Sequence, residues 1–148
     1  MTMTHLEATL NRPPLVLLVD PVVASRHSMW RVLSRGFAVL EAGSAAAARA
    51  WMTQRPDIDV LVVEDDLPDG RGVDFVQGLV EQRHPIASNA VVLSGSTDDD
   101  ARSFAEAGAA LIERGDLCGL LSKLASALLA RDAMLARFLM REAERFRS

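Results

Sequence analysis

Val60-Leu61-Val62-Val63-Glu64-Asp65-Asp66-Leu67-Pro68-Asp69-Gly70-Arg71-Gly72 is the stretch that decides the fold of this 148-residue chain. Its first four residues are all aliphatic and leave no polar face, so they read as a strand buried on both sides. The run stops at once in three carboxylates, and Pro68, Gly70 and Gly72 mark a loop. From about Val73 to Gln82 apolar residues return at helical spacing, with Phe75, Val76, Leu79 and Val80 on the inward side. A buried strand, an acidic loop and a helix follow one another without a gap.

The same unit recurs on either side. Leu15-Val16-Leu17-Leu18-Val19 is a short apolar run ending in Asp20, followed by helical spacing over Val22–Arg35 and a stop at Gly36. Phe37–Ala42 is a second strand candidate, and Ser44 is placed to cap a helix over Ala45–Gln54. Ala90-Val91-Val92-Leu93 is a fourth strand ending in Ser94. Thr97 or Asp98 opens a helix to Ala107, where Asp98-Asp99-Asp100 suits the positive end of the helix dipole. Gly108 breaks that helix, Ala109–Ile112 is a weaker fifth strand, and Asp116 caps a last helix that runs to about Arg145. Strands alternating with helices predict an α/β fold: a doubly wound (βα)5 five-stranded parallel sheet with an extended C-terminal helix. The expected division is a flexible arm over residues 1–13, one domain over 14–130 and a helical extension over 131–148.

Composition narrows the function classes. Hydrophobic residues make up 49% and charged residues 24%, enough for one ordinary core. Sixteen basic against twenty acidic residues leave a net charge of −4, a poor footprint for direct nucleic-acid binding. No apolar run approaches the roughly 20 residues that span a bilayer, and residues 1–14 lack the apolar stretch of a signal peptide. A single cysteine, Cys118, excludes a disulfide framework, so a cytoplasmic setting is expected, with no membrane partner. Cys118 itself reads as a small buried hydrophobe. His5, His27 and His84 are scattered and form no ligand set. Trp51 reads as core or near-core, and Trp30 as lying on the outer side of the first helix.

Ligand chemistry on open α/β sheets sits at the carboxyl ends of the strands. Those positions hold Asp20, Glu64, Asp65, Asp66 and Ser94, with Arg114 after the fifth strand. Clustered carboxylates suit a hard cation such as Mg2+, and the same residues serve equally well as turn formers and helix caps. No G-x-x-x-x-G-K-[ST] or G-x-G-x-x-G loop occurs, which argues against a nucleotide or flavin enzyme.

From about Leu15 to Ala130 the chain resembles the receiver domain of response regulators, the flavodoxin-like module of two-component signalling. The resemblance is carried by Leu17-Leu18-Val19-Asp20, Gly36-Phe37-Ala38-Val39, Val62 to Gly72, Val92-Leu93-Ser94-Gly95, Gly108-Ala109 and Arg114-Gly115-Asp116-Leu117. The Leu67-Pro68 pair with a glycine four residues on is its most specific part. The resemblance implies a phosphoacceptor aspartate four residues before the proline, where this chain has Glu64. It implies a second acidic residue after Asp20 as a direct metal ligand, where this chain has Pro21. The hydroxyl that contacts a phosphoryl group is kept as Ser94. The lysine after the fifth strand is replaced by Arg114, and the switching aromatic by Leu111.

Each departure has a physical consequence. Glu64 carries one methylene too many for a site built for in-line transfer, where small misplacements cost about a hundredfold. Pro21 removes a carboxylate that would anchor the metal. Arg114 is expected to hold Glu64 in a bidentate pair reaching toward Ser94. The expectation is therefore a non-enzymatic pseudo-receiver with a degenerate acidic pocket of Asp20, Glu64 and Asp66. It would need no cofactor, Mg2+ binding weakly to those three if at all. It would bind proteins, a histidine kinase or an output protein, in one conformation. The alternative is a working receiver phosphorylated with Mg2+ by a histidine kinase on Asp65 or Asp66.

Leu117, Leu121, Leu124 and Leu128 recur at helical spacing, and the pattern resumes at Leu135 and Phe138. Beyond Arg131 no sheet is left to cover, so Leu128, Leu135, Phe138 and Leu139 are expected to form a seam for a homodimer. A tail folded back on its own domain, or a linker helix to an output domain, would use the same residues.

Overall fold

The computed structural model describes residues 13–95, 109–128 and 133–147, with side chains of the last stretch described from residue 136 onward. Its five-stranded parallel sheet is built from β1 (Leu15–Val19), β2 (Ala38–Ala42), β3 (Val60–Glu64), β6 (Ala90–Ser94) and β7 (Ala110–Glu113) in the order β2-β1-β3-β6-β7. A small antiparallel ribbon, β4 (Asp66–Leu67) with β5 (Gly70–Arg71), stands after β3. The helices are α1 (Val23–Leu33), α2 (Ala45–Gln54), α3 (Gly72–Glu81), α4 (Leu117–Leu128) and α5 (Ala133–Arg145). The doubly wound sheet is thus as expected. The helix expected over 97–107 with its acidic cap, Gly108, and all but the last residue of the N-terminal arm lie outside the described residues.

The central strands are buried on both faces, and their two-residue alternation sorts the core into two layers. Leu17, Val19, Leu61, Val63 and Val92 pack with α2 and α3 on one face. Val16, Leu18, Val60, Val62, Val91 and Leu93 pack with Leu33 of α1 and with Leu120, Leu121 and Leu124 of α4 on the other. Each such leucine or valine contributes about 1.5–3 kcal/mol when fully withdrawn from water. Trp51 is half-buried against the first layer and donates from Nε1 to the Glu41 carbonyl at 2.9 Å. Trp30 is 39% exposed and stacks on His27 with ring centroids 5.9 Å apart. Cys118 is half-buried, more open than its apolar surroundings suggested.

Two close approaches shape the loop after β3. The Gly72 N–H donates to the Asp65 carbonyl at 2.7 Å, and a Cβ at Gly72 would stand 2.4 Å from the Glu64 carbonyl oxygen. Only glycine lets α3 begin so close to the strand end. Asp69 accepts from the Ala45 and Ala46 N–H groups at 2.9 Å each, which ties the ribbon to the first turn of α2. Those two bonds hold its carboxyl below the ordinary value.

The C-terminal region departs from expectation. Two helices replace the single long one, and α5 folds back along α4. Ala136, Leu139 and Ala143 lie at i, i+3 and i+7 and are buried in the second layer at 1–3% exposure. Leu128 and Leu139, expected in an open seam between copies, are buried at 2% and 3% within the chain's own core. Phe138 is half-buried against the same layer, and the side chain of Leu135 lies outside the described residues. An intramolecular partner costs no translational freedom, so the back of α4 takes the apolar stripe before a second copy can. Arg35 and Glu142, 3.2 Å apart, pin α5 to the end of α1.

Candidate functional site

The parallel register brings the strand ends to one edge: Val19 lies opposite Ala42 and Val63, Glu64 opposite Leu93, and Ser94 opposite Glu113. Asp20, just past β1, is buried at 3%. Its Oδ1 accepts from the Val22 N–H at 2.9 Å and its Oδ2 from the Ser25 hydroxyl, closing the turn into α1. Arg26 donates from Nη1 to the Asp20 carbonyl at 2.8 Å and from Nε to Glu41 at 3.2 Å. Pro21 adds no side-chain donor or acceptor.

Glu64 ends β3 on the face of Val60 and Val62, toward α1 and α4. Arg114 donates from Nε to Glu64 Oε2 at 2.8 Å and from Nη2 to Asp66 Oδ2 at 3.3 Å. This corrects the expected bidentate pair: the guanidinium straddles two carboxylates. The Arg114 backbone N–H is fixed to the Ser94 carbonyl at 2.8 Å, which sets the fork between β3 and the ribbon. Burial pushes the Glu64 carboxyl above its ordinary value. The Arg114 hydrogen bond and charge oppose the rise, and the Asp20 and Asp66 charges add to it.

Asp65 points to the other face and is buried at 5%. Its Oδ1 accepts from the Val73 N–H at 3.0 Å. Its Oδ2 accepts from Arg71 Nη2 at 2.7 Å and from the Ser94 hydroxyl at 3.5 Å. Burial alone would raise this carboxyl, but the bonds from Arg71 and Val73, the Arg71 charge and Ser94 together hold it below the ordinary value. Ser94 was expected beside Glu64, and this too is corrected. With Glu64 opposite Leu93, the alternation of side chains turns Ser94 to the face of Asp65. Leu111 is half-buried against the first layer, in register with Val92.

Asp20, Glu64, Asp66 and Arg114 line one cavity together with Pro21. Mg2+ takes oxygen ligands and keeps several waters, and the carboxylates that would offer them here are already engaged within the chain. Both Asp20 oxygens accept protein hydrogen bonds, and Glu64 and Asp66 share a guanidinium. Among the described residues no three His, Cys, Asp or Glu side chains are grouped so as to hold a metal ion.

No protein-family model matches the chain. A response regulator receiver protein from Pseudomonas putida is similar in structure, with 24% identity, a TM-score of 0.63, and 77% of this chain and 97% of that chain covered. CheY in a CheX–CheY–BeF3–Mg complex from Borrelia burgdorferi is similar at 20% identity and a TM-score of 0.67, over 82% of this chain and 93% of that chain. The hydrogenase transcriptional regulatory protein HoxA of Cupriavidus necator is 33% identical over 85 residues, 57% of this chain. The match spans only 17% of HoxA's own length. The described sheet order and these likenesses agree: the chain has the flavodoxin-like receiver fold of response regulators.

Proposed function

We propose that this chain is a receiver-type module of two-component signalling that acts by binding protein partners in one set conformation, independently of phosphorylation. The observation that supports this most is the Arg114 guanidinium spanning Glu64 and Asp66 where a phosphoacceptor would stand. A fixed negative group beside a fixed cation reproduces the charge arrangement of an occupied site without group transfer. An incoming phosphoryl group would add negative charge to a cavity whose lining holds three carboxylates and one arginine. Asp65 has both oxygens engaged, so a shifted register would leave the exposed Asp66 as acceptor. The partner is a histidine kinase or an output protein, in a cytoplasmic setting. The buried Leu128 and Leu139 take the C-terminal seam out of the proposal as a dimer contact.

Incubation of the full chain with acetyl phosphate and Mg2+, followed by intact mass and peptide mapping, tests the reading. The wild type is expected to acquire no stable phosphoryl group, and the Pro21→Asp/Glu64→Asp variant to acquire one at residue 64. A phosphoryl group mapped to Asp65 or Asp66 of the wild type would establish a working receiver instead.

A further inference from the structure

Between α1 and the start of α4 a cavity of about 600 Å3 opens beside the strand ends. Its inner wall is apolar, formed by Leu18 and Leu93 of the sheet, Met29 and Val32 of α1, and Leu117 of α4. Asp20, Glu64, Asp66 and Arg114 supply its charged groups, so carboxylates outnumber cations among the lining residues. Val22, a lining residue, leaves 57% of its surface in water. Well-packed interiors leave few voids larger than a water molecule, and largely apolar concavities with a few convergent polar groups are where small ligands bind. A hydrated divalent ion gains nothing from these walls, and an anion meets the wrong charge. What complements the cavity is an apolar body with a cationic head.

We propose that this cavity takes a small amphipathic organic cation, its ammonium against Glu64 and Asp66 and its hydrocarbon or aromatic body against Met29, Val32 and Leu117. Arg114 engages Oε2 of Glu64, and the carboxylate keeps Oε1 as an acceptor for an ammonium donor. The unbranched, polarizable side chain of Met29 adapts to bodies of different shape. The bound body covers Val22 and joins α1 to α4, so occupancy becomes a signal that phosphoryl transfer does not supply. The inference rests on the reading that no phosphoryl group claims this pocket.

The test is a methyl NMR titration of the full chain carrying 13C-methyl methionine, with the Met29 resonance assigned by its loss in Met29→Leu. The probes are n-hexylammonium and 2-phenylethylammonium, with 1-hexanol and hexanoate as controls. A saturable shift of the Met29 methyl by at least one ammonium is expected, about tenfold weaker with hexanol and absent with hexanoate. No saturable shift with either ammonium, or hexanol or hexanoate binding as tightly, overturns the proposal. Leu117→Trp fills the cavity and is expected to abolish the shift. Should that variant lose its dispersed methyl spectrum, Glu64→Gln/Asp66→Asn is expected to weaken hexylammonium about tenfold while leaving hexanol unchanged, and equal affinity for hexylammonium overturns the proposal. Phosphoryl incorporation is read by mass, so the two readings fail separately.

Discussion

Arg114 reaches from the end of β7 to the end of β3 and places Nε 2.8 Å from Glu64 Oε2. The pair sits at an edge of differing exposure: the Glu64 side chain is 12% exposed and that of Arg114 44%. The arginine therefore anchors the acid from the solvent side, and the burial penalty falls on the acid. Because burial, together with the Asp20 and Asp66 charges, outweighs the Arg114 hydrogen bond and charge, the folded chain holds the Glu64 proton to a higher pH than the unfolded chain does.

The first prediction follows from that sign. A carboxyl whose folded value lies above its unfolded value lowers stability as pH rises through the interval between the two, and the cost persists above it. Glu64→Gln removes the ionisation and keeps an acceptor for Arg114. The variant is expected to match or exceed the wild type in urea midpoint at neutral pH. The difference should close near pH ~4, where carboxyls protonate. A variant weaker than the wild type at neutral pH would show that the ion pair outweighs burial.

Asp65 behaves in the opposite sense. Its folded value is depressed, so its contribution is present above the unfolded carboxyl range and is lost as pH falls through the folded value. Asp65→Ala strands the buried Val73 N–H and takes one acceptor from each of Arg71 and Ser94. A loss of about 2–3 kcal/mol is expected at neutral pH. Asp65→Asn keeps an acceptor for Val73 and is expected to lose less. Urea unfolding of the two variants checks the order, and wild-type unfolding between neutral and acidic pH checks the slope.

The sheet was legible because apolar runs too short for helices end in turn residues, as at Leu15–Val19 and Val60–Val63. The carboxylates at the strand ends were legible for the same reason. Which of them share a face depends on alternation combined with strand register, which sets Asp65 and Ser94 toward one layer and Glu64 toward the other. The ribbon after β3 was hidden because Asp69 works through backbone N–H groups of a distant helix. The return of α5 was hidden because neither Gly nor Pro punctuates residues 129–132 and the leucine spacing runs on. Asp132, a residue type favoured at helix starts, was the one local signal of a second helix.

Gly72 carries the third prediction. A methyl group there would meet the Glu64 carbonyl at 2.4 Å and crowd Asp65 Cα at 3.0 Å, both backbone atoms that cannot swing away. Gly72→Ala is expected to cost about 1–3 kcal/mol. It should also shift the amide resonances of Glu64 and Asp65 in a 15N spectrum. Gly78 provides the control, since a Cβ there meets nothing within 4 Å. Gly78→Ala, inside α3, is expected to hold or raise stability by about 0.5–1 kcal/mol.

The fold-back of α5 carries the last prediction. Leu139 is buried at 3% in a layer shared with Leu33, Leu121 and Leu124. Truncating it removes a leucine from the chain's own core, so Leu139→Ala is expected to cost about 2–4 kcal/mol. The cost belongs to one chain, so the urea midpoint of wild type and variant alike should not move with protein concentration, as it must where unfolding and dissociation are coupled. Arg35→Ala removes one of two arginine partners of Glu142 and leaves the Arg145 pair at 3.2 Å, so it is expected to cost under about 1 kcal/mol. If Leu139→Ala left the midpoint of dilute protein unchanged and instead lowered the sedimentation coefficient of concentrated protein, the stripe would face a second copy and the intramolecular packing of α5 would be wrong.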